Sequence, residues 1–315
     1  PDSRCFWIKP SVNFLLKYLK KNPVDVIIST GPPHSMHMIG LALKKSLSIK
    51  WIADFRDPWT DIEYFDYLPL LSSVRKKHQE LEKEVLSNVD LALSVSPSWA
   101  NHISMLGAKK VELLTNGYDP DDYCFESSND DQKKFRIGHF GLYNELRDHR
   151  FFWNTIQKIC INNLSFSHSL NFLFSGAVHT QFFSNLKQYK FGKKMDYYKY
   201  LNHQDSIGKM MQCDLLLVTQ GQTKSVNGRL PAKFFEYLGT RKPILAIGKK
   251  NSDLEKIISQ ISYAWFVDFE NHQLLYDTIL HIYELSKQDN QFNDDISKFS
   301  REYHAKQIIQ LINNL

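Results

Sequence analysis

The chain has 315 residues, of which 43% are hydrophobic, and this size and composition predict a globular protein of two domains. Its net charge of +5 comes mostly from dispersed lysines and arginines, which argues against a nucleic-acid-binding face. The charge fits an anionic small substrate, an anionic membrane surface or solubility alone. Four cysteines without a CxxC pair argue against zinc and redox chemistry.

The first half of the chain alternates short apolar runs, which predict buried strands, with segments of helical periodicity. The strands are predicted at 25–29, 50–54, 90–95 and 110–114. The helices are predicted at 12–20, 35–45 and 74–87, with a further helix start at 96–98. This β-α alternation is typical of a parallel sheet with helices on both faces.

A polar, acidic stretch over 118–134 follows, and we interpret it as a linker. A second series has strands predicted at 135–140, 170–174, 214–218, 243–247 and 265–267. Its helices are predicted at 150–161, 203–211, 231–238, 272–285 and 295–311. The two series predict two α/β domains in tandem, with ligands bound beyond the carboxyl ends of the strands.

The loop Ser29-Thr-Gly-Pro-Pro-His-Ser35 follows a predicted strand and opens a predicted helix. Backbone N–H groups at a helix start suit an anion or a sugar hydroxyl, and His34 lies at the end of this loop. The alternative is a helix capped by Thr30 or Ser35, with His34 at the surface.

The segment Asp54-Phe-Arg-Asp-Pro-Trp59 follows the next strand. Asp54, Arg56 and Asp57 beside Trp59 indicate a sugar site, where carboxylates bind hydroxyls and an aromatic ring stacks on the sugar. Asp57 is a candidate acid or base. The alternative is an Arg–Asp salt bridge that only shapes the loop.

Lys233 lies in the first turn of the helix predicted to begin at Pro231, where a cation is unfavourable for the helix dipole. This position predicts that Lys233 meets an anion such as a diphosphate, with Arg229 as a second phosphate ligand. Glu236, on the same face, would accept hydrogen bonds from ribose hydroxyls. The alternative is an exposed Lys–Glu pair.

Gly141, after the strand at 135–140, permits close approach of a ligand, or is a simple turn glycine.

The chain resembles the retaining glycosyltransferases of family 4, of the GT-B fold, in the branch that builds bacterial surface polysaccharides. The resemblance rests on an ordered set of motifs: Pro1-Asp-Ser-Arg4 with Trp7, D-V-I-I-S-T-G-P-P-H-S (25–35), W-I-A-D-F-R-D-P-W (51–59), G-H-F-G-L-Y (138–143), P-A-K-F-F-E-Y-L (231–238) and K-P-I-L-A (242–246). It implies two Rossmann-like domains facing a cleft. An acceptor-side domain would cover 1–125, a nucleotide-sugar-binding domain 126–295, and a helix at 296–315 would cross back to the first domain.

The resemblance implies an enzyme that transfers a hexose with retention from a nucleotide-diphosphate sugar, preferably a UDP-sugar, to a glycan or lipid-linked acceptor. The implied setting is the bacterial cytoplasm, in the synthesis of capsule, O-antigen, exopolysaccharide or lipopolysaccharide. The implied reaction uses no metal or other cofactor. The implied site residues are His34 and Asp57 for catalysis, Asp54, Arg56 and Trp59 on the acceptor side, and Gly141, Asn144, Arg147, Arg229, Lys233 and Glu236 for the donor.

Two departures from the family pattern stand out. The first of two glutamates that the family places eight positions apart falls on Gly228. A strand and glycine-rich loop that would precede Pro1 are absent, so we expect the first domain to be incomplete at its N-terminus. A GT-B sugar-nucleotide epimerase and a non-catalytic sugar-nucleotide-binding protein therefore remain as alternatives, whereas the absence of G-x-G-x-x-G disfavours an NAD enzyme.

An aromatic stretch followed by basic residues suits contact with a membrane interface. It comprises Trp59, Tyr64, Phe65, Tyr67, Leu68, Leu70 and Leu71, followed by Arg75-Lys76-Lys77. It predicts peripheral contact with the inner face of the plasma membrane. The alternative is a loop and helix packed on their own domain.

Overall fold

A computed structural model describes residues 2–63, 65–123, 134–288 and 291–315. The contacts divide the chain into two compact units. Unit 1 comprises Pro1–Asn116 and His304–Leu315, and unit 2 comprises Gly117–Tyr303. The domain boundary that we predicted at 125/126, and most of the predicted linker, lie outside the described residues.

Unit 1 is built on a four-stranded parallel sheet in the order β1-β2-β3-β4. Its strands are β1 (Val26–Gly31), β2 (Lys50–Phe55), β3 (Leu91–Ser94) and β4 (Val111–Leu113). Its helices are α1 (Ile8–Lys21), α2 (Ser35–Leu47), α3 (Ser72–Asn88) and α4 (Pro97–Met105). Every strand predicted here from an apolar run is present, and the bounds differ by one or two residues.

The core of unit 1 lies on both faces of its two inner strands. One face of β2 packs Trp51, Ala53 and Phe55 against residues of α2 and α3, such as Leu41 and Val85. The other face of the sheet carries Ile52, Leu91 and Leu93. Because both faces are covered there, β3 is buried along its whole length and shows no alternation of exposed and buried residues, as is usual for parallel sheets.

The last helix of the chain, α12 (Arg301–Asn313), packs on this second face through Ile308, Leu311 and Ile312. The helix predicted at 295–311 begins six residues later than expected, because Ser297–Phe299 form a 3-10 turn. Ser300 is extended and bridges to Tyr118.

Unit 2 is built on a six-stranded parallel sheet in the order β10-β9-β8-β5-β6-β7. Its strands are β5 (Phe135–Phe140), β6 (Leu170–Ser175), β7 (Met195–Tyr198), β8 (Leu215–Thr219), β9 (Ile244–Gly248) and β10 (Ala264–Asp268). Its helices are α5 (Arg150–Asn162), α6 (Leu164–Ser169), α7 (Phe182–Gln188), α8 (His203–Met211), α9 (Ala232–Thr240), α10 (Asp253–Ile258) and α11 (His272–Leu285).

In this doubly wound order the first strand of the unit, β5, lies beside the fourth, β8. The chain leaves β5 towards β6 and β7, and leaves β8 in the opposite direction towards β9 and β10. One core lies on the α5 and α11 face, and a second lies on the α8, α9 and α10 face. The connections after β5 and β8 therefore run in opposite directions, and sheets of this kind bind ligands at the carboxyl edge beside such a switch point.

Candidate functional site

The loop after β5 closes tightly on the loop after β6. Gly141 has a φ of +122°, and its N–H donates to the carbonyl of Ser175 at 2.7 Å. Gly176 has a φ of +119°, and a Cβ there would overlap the carbonyl oxygen of Gly141. Both positions require glycine, because the backbone is left-handed at each and the two loops touch.

The first turn of α9 lies beside Gly141. Lys233 Cγ is 3.7 Å from where a Cβ on Gly141 would be, so the cation predicted to bind phosphate lies beside this glycine turn. Lys233 Nζ contacts Glu236 Oε2 at 2.5 Å, with the two side chains 34% and 16% exposed. The pair that the sequence placed on one helix face therefore forms, at the switch point of the sheet.

Gln220, directly after β8, is a site residue that the sequence analysis did not single out. Its side chain is buried, and Nε2 donates to the carbonyls of Arg229 at 2.7 Å and Val226 at 3.4 Å. Its Oε1 accepts from the N–H of Lys249 at 3.2 Å. Gln220 thus holds the loop that carries Arg229, and its position at a strand end was the signal that could have identified it.

The loop after β5 contains the other predicted donor residues. Arg147 donates to the carbonyl of Leu142 at 2.9 Å, which shapes the loop. Asn144 Oδ1 is buried and has no hydrogen-bond partner among the described residues. A buried acceptor without a partner calls for an explanation, and a ligand hydroxyl or N–H is one.

The histidines of this region are neutral at pH 7. Burial lowers the pKa of His139 to about 4, and its Nδ1–H donates to the carbonyl of Leu217 at 3.0 Å. Burial also lowers the pKa of His149, whose Nε2 lies 2.8 Å from the carbonyl of Gln220. The cations predicted for the donor are therefore Lys233, Arg229 and Arg147, and not these two histidines.

In unit 1, β1 and β2 are neighbours in the sheet, and their carboxyl ends lie side by side, with Gly31 paired to Phe55. Thr30 donates to the carboxylate of Asp54, and burial raises the pKa of Asp54 against the opposing effect of this bond. Arg56 is exposed, and its backbone N–H donates to the carbonyl of Gly31 at 3.1 Å. Asp57 is half-buried on the same loop.

His34 is the N-cap residue of α2 and is buried rather than exposed. Burial lowers its pKa to about 4. The helix start is not open to a ligand as we expected, because Asp2 accepts from the Ser35 N–H at 2.8 Å and from its hydroxyl at 2.7 Å. These bonds lower the pKa of Asp2, although its burial acts in the opposite direction.

Trp59 does not offer the open ring face that a sugar platform needs. It is 3% exposed and lies in the core of unit 1. The His34 ring stacks on it at 4.9 Å between centroids and 5° between planes. Two residues of α3, Glu82 and His78, hydrogen-bond to it. Tertiary packing overrides the expectation drawn from its place at a strand end.

The stretch predicted to contact a membrane is partly exposed. Tyr67 and Leu71 are 79% and 74% exposed, whereas Phe65 is buried. Arg75 donates to the carbonyl of Phe65 at 2.8 Å and so braces this loop. Tyr64 lies outside the described residues.

No helix within the described ranges is long and apolar enough to cross a membrane. In the same part of the chain, no three histidine, cysteine or acidic side chains are grouped so that they would hold a metal ion.

Comparison of the sequence with protein-family models and with curated proteins gives no match. Solved structures do match. A sucrose-phosphate synthase from Thermosynechococcus elongatus has a TM-score of 0.72 at 13% identity, over 99% of this chain and 79% of that chain. WaaG, a glycosyltransferase involved in lipopolysaccharide biosynthesis, has a TM-score of 0.58 at 10% identity, over 88% of this chain and 72% of that chain.

The chain has the GT-B fold. A structure from Listeria monocytogenes assigned as a UDP-N-acetylglucosamine 2-epimerase matches with a TM-score of 0.58 at 10% identity, over 97% of this chain and 78% of that chain. The fold is therefore shared by proteins with different reactions, and the choice among reactions depends on the site residues.

Proposed function

We propose that this protein is a glycosyltransferase that moves a sugar, with retention, from a nucleotide-diphosphate sugar to a glycan or lipid-linked acceptor. The observation that carries the proposal is the convergence, at the switch point of unit 2, of the Gly141 loop with the Lys233–Glu236 pair. A glycine turn against the first turn of a helix suits a diphosphate, because backbone N–H groups and a cation then face the same anion.

Each donor-side residue has a role in this proposal. Lys233 and Arg229 neutralise the leaving diphosphate, on which negative charge develops as the glycosidic bond breaks. Glu236 accepts from the ribose hydroxyls once Lys233 turns to the phosphate. Asn144 Oδ1, a buried acceptor without a partner among the described residues, binds a donor group in the loop after β5.

The acceptor side belongs to unit 1. His34 and Asp57 remain the proposed catalytic residues, with Asp54 and Arg56 on neighbouring positions. Because burial lowers its pKa to about 4, His34 acts as a neutral hydrogen-bonding group and not as a cation. Trp59 supports His34 from the core and does not stack on the acceptor.

The setting that we propose is bacterial surface-polysaccharide synthesis on the cytoplasmic side of the plasma membrane, with a UDP-sugar as donor and no metal. Three observations support it: the motif set described above, a structural match that includes a glycosyltransferase of lipopolysaccharide biosynthesis, and the exposed Tyr67 and Leu71.

The first test is calorimetric titration of UDP and GDP into the protein and its variants. We expect Lys233→Ala to weaken binding of the diphosphate by about 10- to 100-fold, as for loss of a charge-assisted hydrogen bond. Lys256→Ala is the matched control, since Lys256 also pairs with an acid three positions away, Asp253, at 3.2 Å. Equal affinities for Lys233→Ala and the native protein would refute the donor site.

An epimerase is the second candidate, because a structure assigned to that reaction shares the fold. An epimerase turns over a UDP-sugar without an acceptor, whereas a transferase consumes it only slowly by hydrolysis. Incubation with UDP-N-acetylglucosamine, followed by separation of the sugar nucleotides, distinguishes the two. Binding without turnover under any condition would favour the non-catalytic alternative.

A further inference from the structure

His34 is packed among aromatic rings. Its residue is 7% exposed, and its ring contacts the rings of Trp59, His37 and Phe55. The contact with the indole of Trp59 has the shortest centroid distance of the three, 4.9 Å, and the smallest angle between planes, 5°. Trp59 is therefore the neighbouring ring that constrains the plane of the imidazole most.

Trp59 is in turn held by α3. Its indole N–H donates to His78 Nδ1 at 3.0 Å, and its backbone N–H donates to Glu82 Oε1 at 3.2 Å. Because an indole N–H only donates, His78 Nδ1 must accept, and His78 carries its proton on Nε2. Glu82 also accepts from the backbone N–H and hydroxyl of Thr60, so its carboxylate anchors the loop at two successive residues.

Glu82 and His78 are four positions apart on one face of α3, one helical turn from each other. Glu82 is 1% exposed, and burial raises the pKa of its carboxyl group against the opposing effect of its hydrogen bonds from Thr60 and Trp59. Neither residue lies at a strand end, and neither is among the predicted site residues. Both residues hydrogen-bond to Trp59, and Glu82 also hydrogen-bonds to Thr60. The ring of Trp59 in turn stacks on His34.

We infer that Glu82 and His78 are positioning residues that fix the imidazole plane of His34 through Trp59. The inference rests on the proposed function, in which His34 contacts a substrate. A rigid support matters there, because the rate of a reaction falls steeply when a reacting or hydrogen-bonding group is displaced. His78→Leu removes the acceptor for the indole, and His78→Asn restores one through its amide oxygen.

The test combines kinetics in two backgrounds. We expect His78→Leu to lower kcat by about 10-fold with the donor KM within about two-fold, and His78→Asn to recover most of the loss. In a His34→Ala background the same His78→Leu change should have no further effect on kcat. An equal fold-loss in both backgrounds would overturn the inference, since His78 would then act independently of His34.

Two further variants serve as controls for the kinetics and for folding. Glu80→Gln, on the same helix and 54% exposed, is the matched control and should keep native kcat. Trp59→Phe keeps a ring for stacking but removes the indole N–H, and it replaces His78→Leu in the kinetic test if His78→Leu does not fold.

The ¹⁵N chemical shifts of the His34 imidazole test the inference without turnover: unchanged shifts in His78→Leu would also reject it. If His34→Ala keeps native activity, the proposed function fails while the imidazole shifts still decide the positioning role.

Discussion

At the scale of single residues, burial decides the chemistry of the histidines. Burial lowers the pKa of His34 to about 4, of His37 to about 3 and of His139 to about 4. His37 is fully buried, and its Nδ1 lies 2.9 Å from the hydroxyl of Ser29. All three rings are therefore uncharged at neutral pH, and charging any of them opposes the folded state.

This burial predicts acid sensitivity. The folded pKa values lie below the ordinary value of 6.5, so the unfolded chain binds protons first as the pH falls. The associated stability is fully present above pH 6.5 and is lost as the pH falls towards 4, by about 1.4 kcal/mol per pH unit for each histidine. Urea unfolding at pH 7.5, 6.0 and 5.0, followed by tryptophan fluorescence, measures the slope.

His34→Phe isolates one contribution, because phenylalanine keeps an aromatic ring on Trp59 and does not titrate. Its unfolding free energy should fall less steeply below pH 6.5 than that of the native protein, by about 1.4 kcal/mol per pH unit. Identical slopes for the two proteins would show that His34 is not shielded from protonation in the folded state.

At the scale of elements, segments with a clear apolar pattern were predicted well, and short segments without one were not. β5 begins and ends with phenylalanine at the predicted bounds. α11 has the predicted bounds because its apolar residues recur at helical spacing. β7 was missed, since Met195-Asp-Tyr-Tyr198 lies at a sheet edge and is half polar. Three short helices, α6, α7 and α10, were missed because six or seven residues carry too little periodicity.

The turn glycines allow a prediction at this scale. Gly176→Ala should destabilise unit 2 by at least about 2 kcal/mol, because its φ is +119° and a Cβ would overlap Gly141. Gly208→Ala, within α8 and with open space around it, should instead stabilise by about 0.5–1 kcal/mol. Thermal unfolding of both variants tests this, and a Gly176→Ala protein as stable as Gly208→Ala would contradict the loop geometry.

At the scale of the whole molecule, the chain makes unit 1 from two separated segments. The C-terminal helix α12 covers the sheet face that carries Ile52, Leu91 and Leu93, and without it those residues would be open to water. His304 in α12 also forms a hydrogen bond with Thr115, with 3.3 Å between Nε2 and Oγ1. Burial of this face of the unit 1 sheet therefore depends on α12.

Neighbouring isoleucines of α12 test this dependence. Ile308→Ala should lower the unfolding free energy by about 1–2 kcal/mol, because Ile308 packs on the sheet and is only partly exposed. Ile309→Ala should change it by less than about 0.5 kcal/mol, since Ile309 is 58% exposed. Denaturant unfolding compares the two, and equal losses would argue against docking of this face.

Features that depend on near neighbours along the chain follow from the amino-acid sequence alone. The alternation of apolar runs and periodic segments determined two parallel α/β sheets, since a buried strand and an amphipathic helix have different periods. The same is true of Lys233 and Glu236, which share a helix face because three residues are nearly one turn. A strand-end rule placed Gly141 and Asp57 on loops at the carboxyl edges, and Asp54 at the carboxyl end of β2.

Only the tertiary structure decided which of these loop residues are open to a ligand. Trp59 is buried because His34 and α3 enclose it, and the start of α2 is occupied because Asp2, 33 positions earlier, accepts from Ser35. Gln220 holds the Arg229 loop only because the chain folds back over nine residues. Such contacts join residues with no periodic relation, so no local pattern records them, and burial and hydrogen bonding in the folded chain decide their roles.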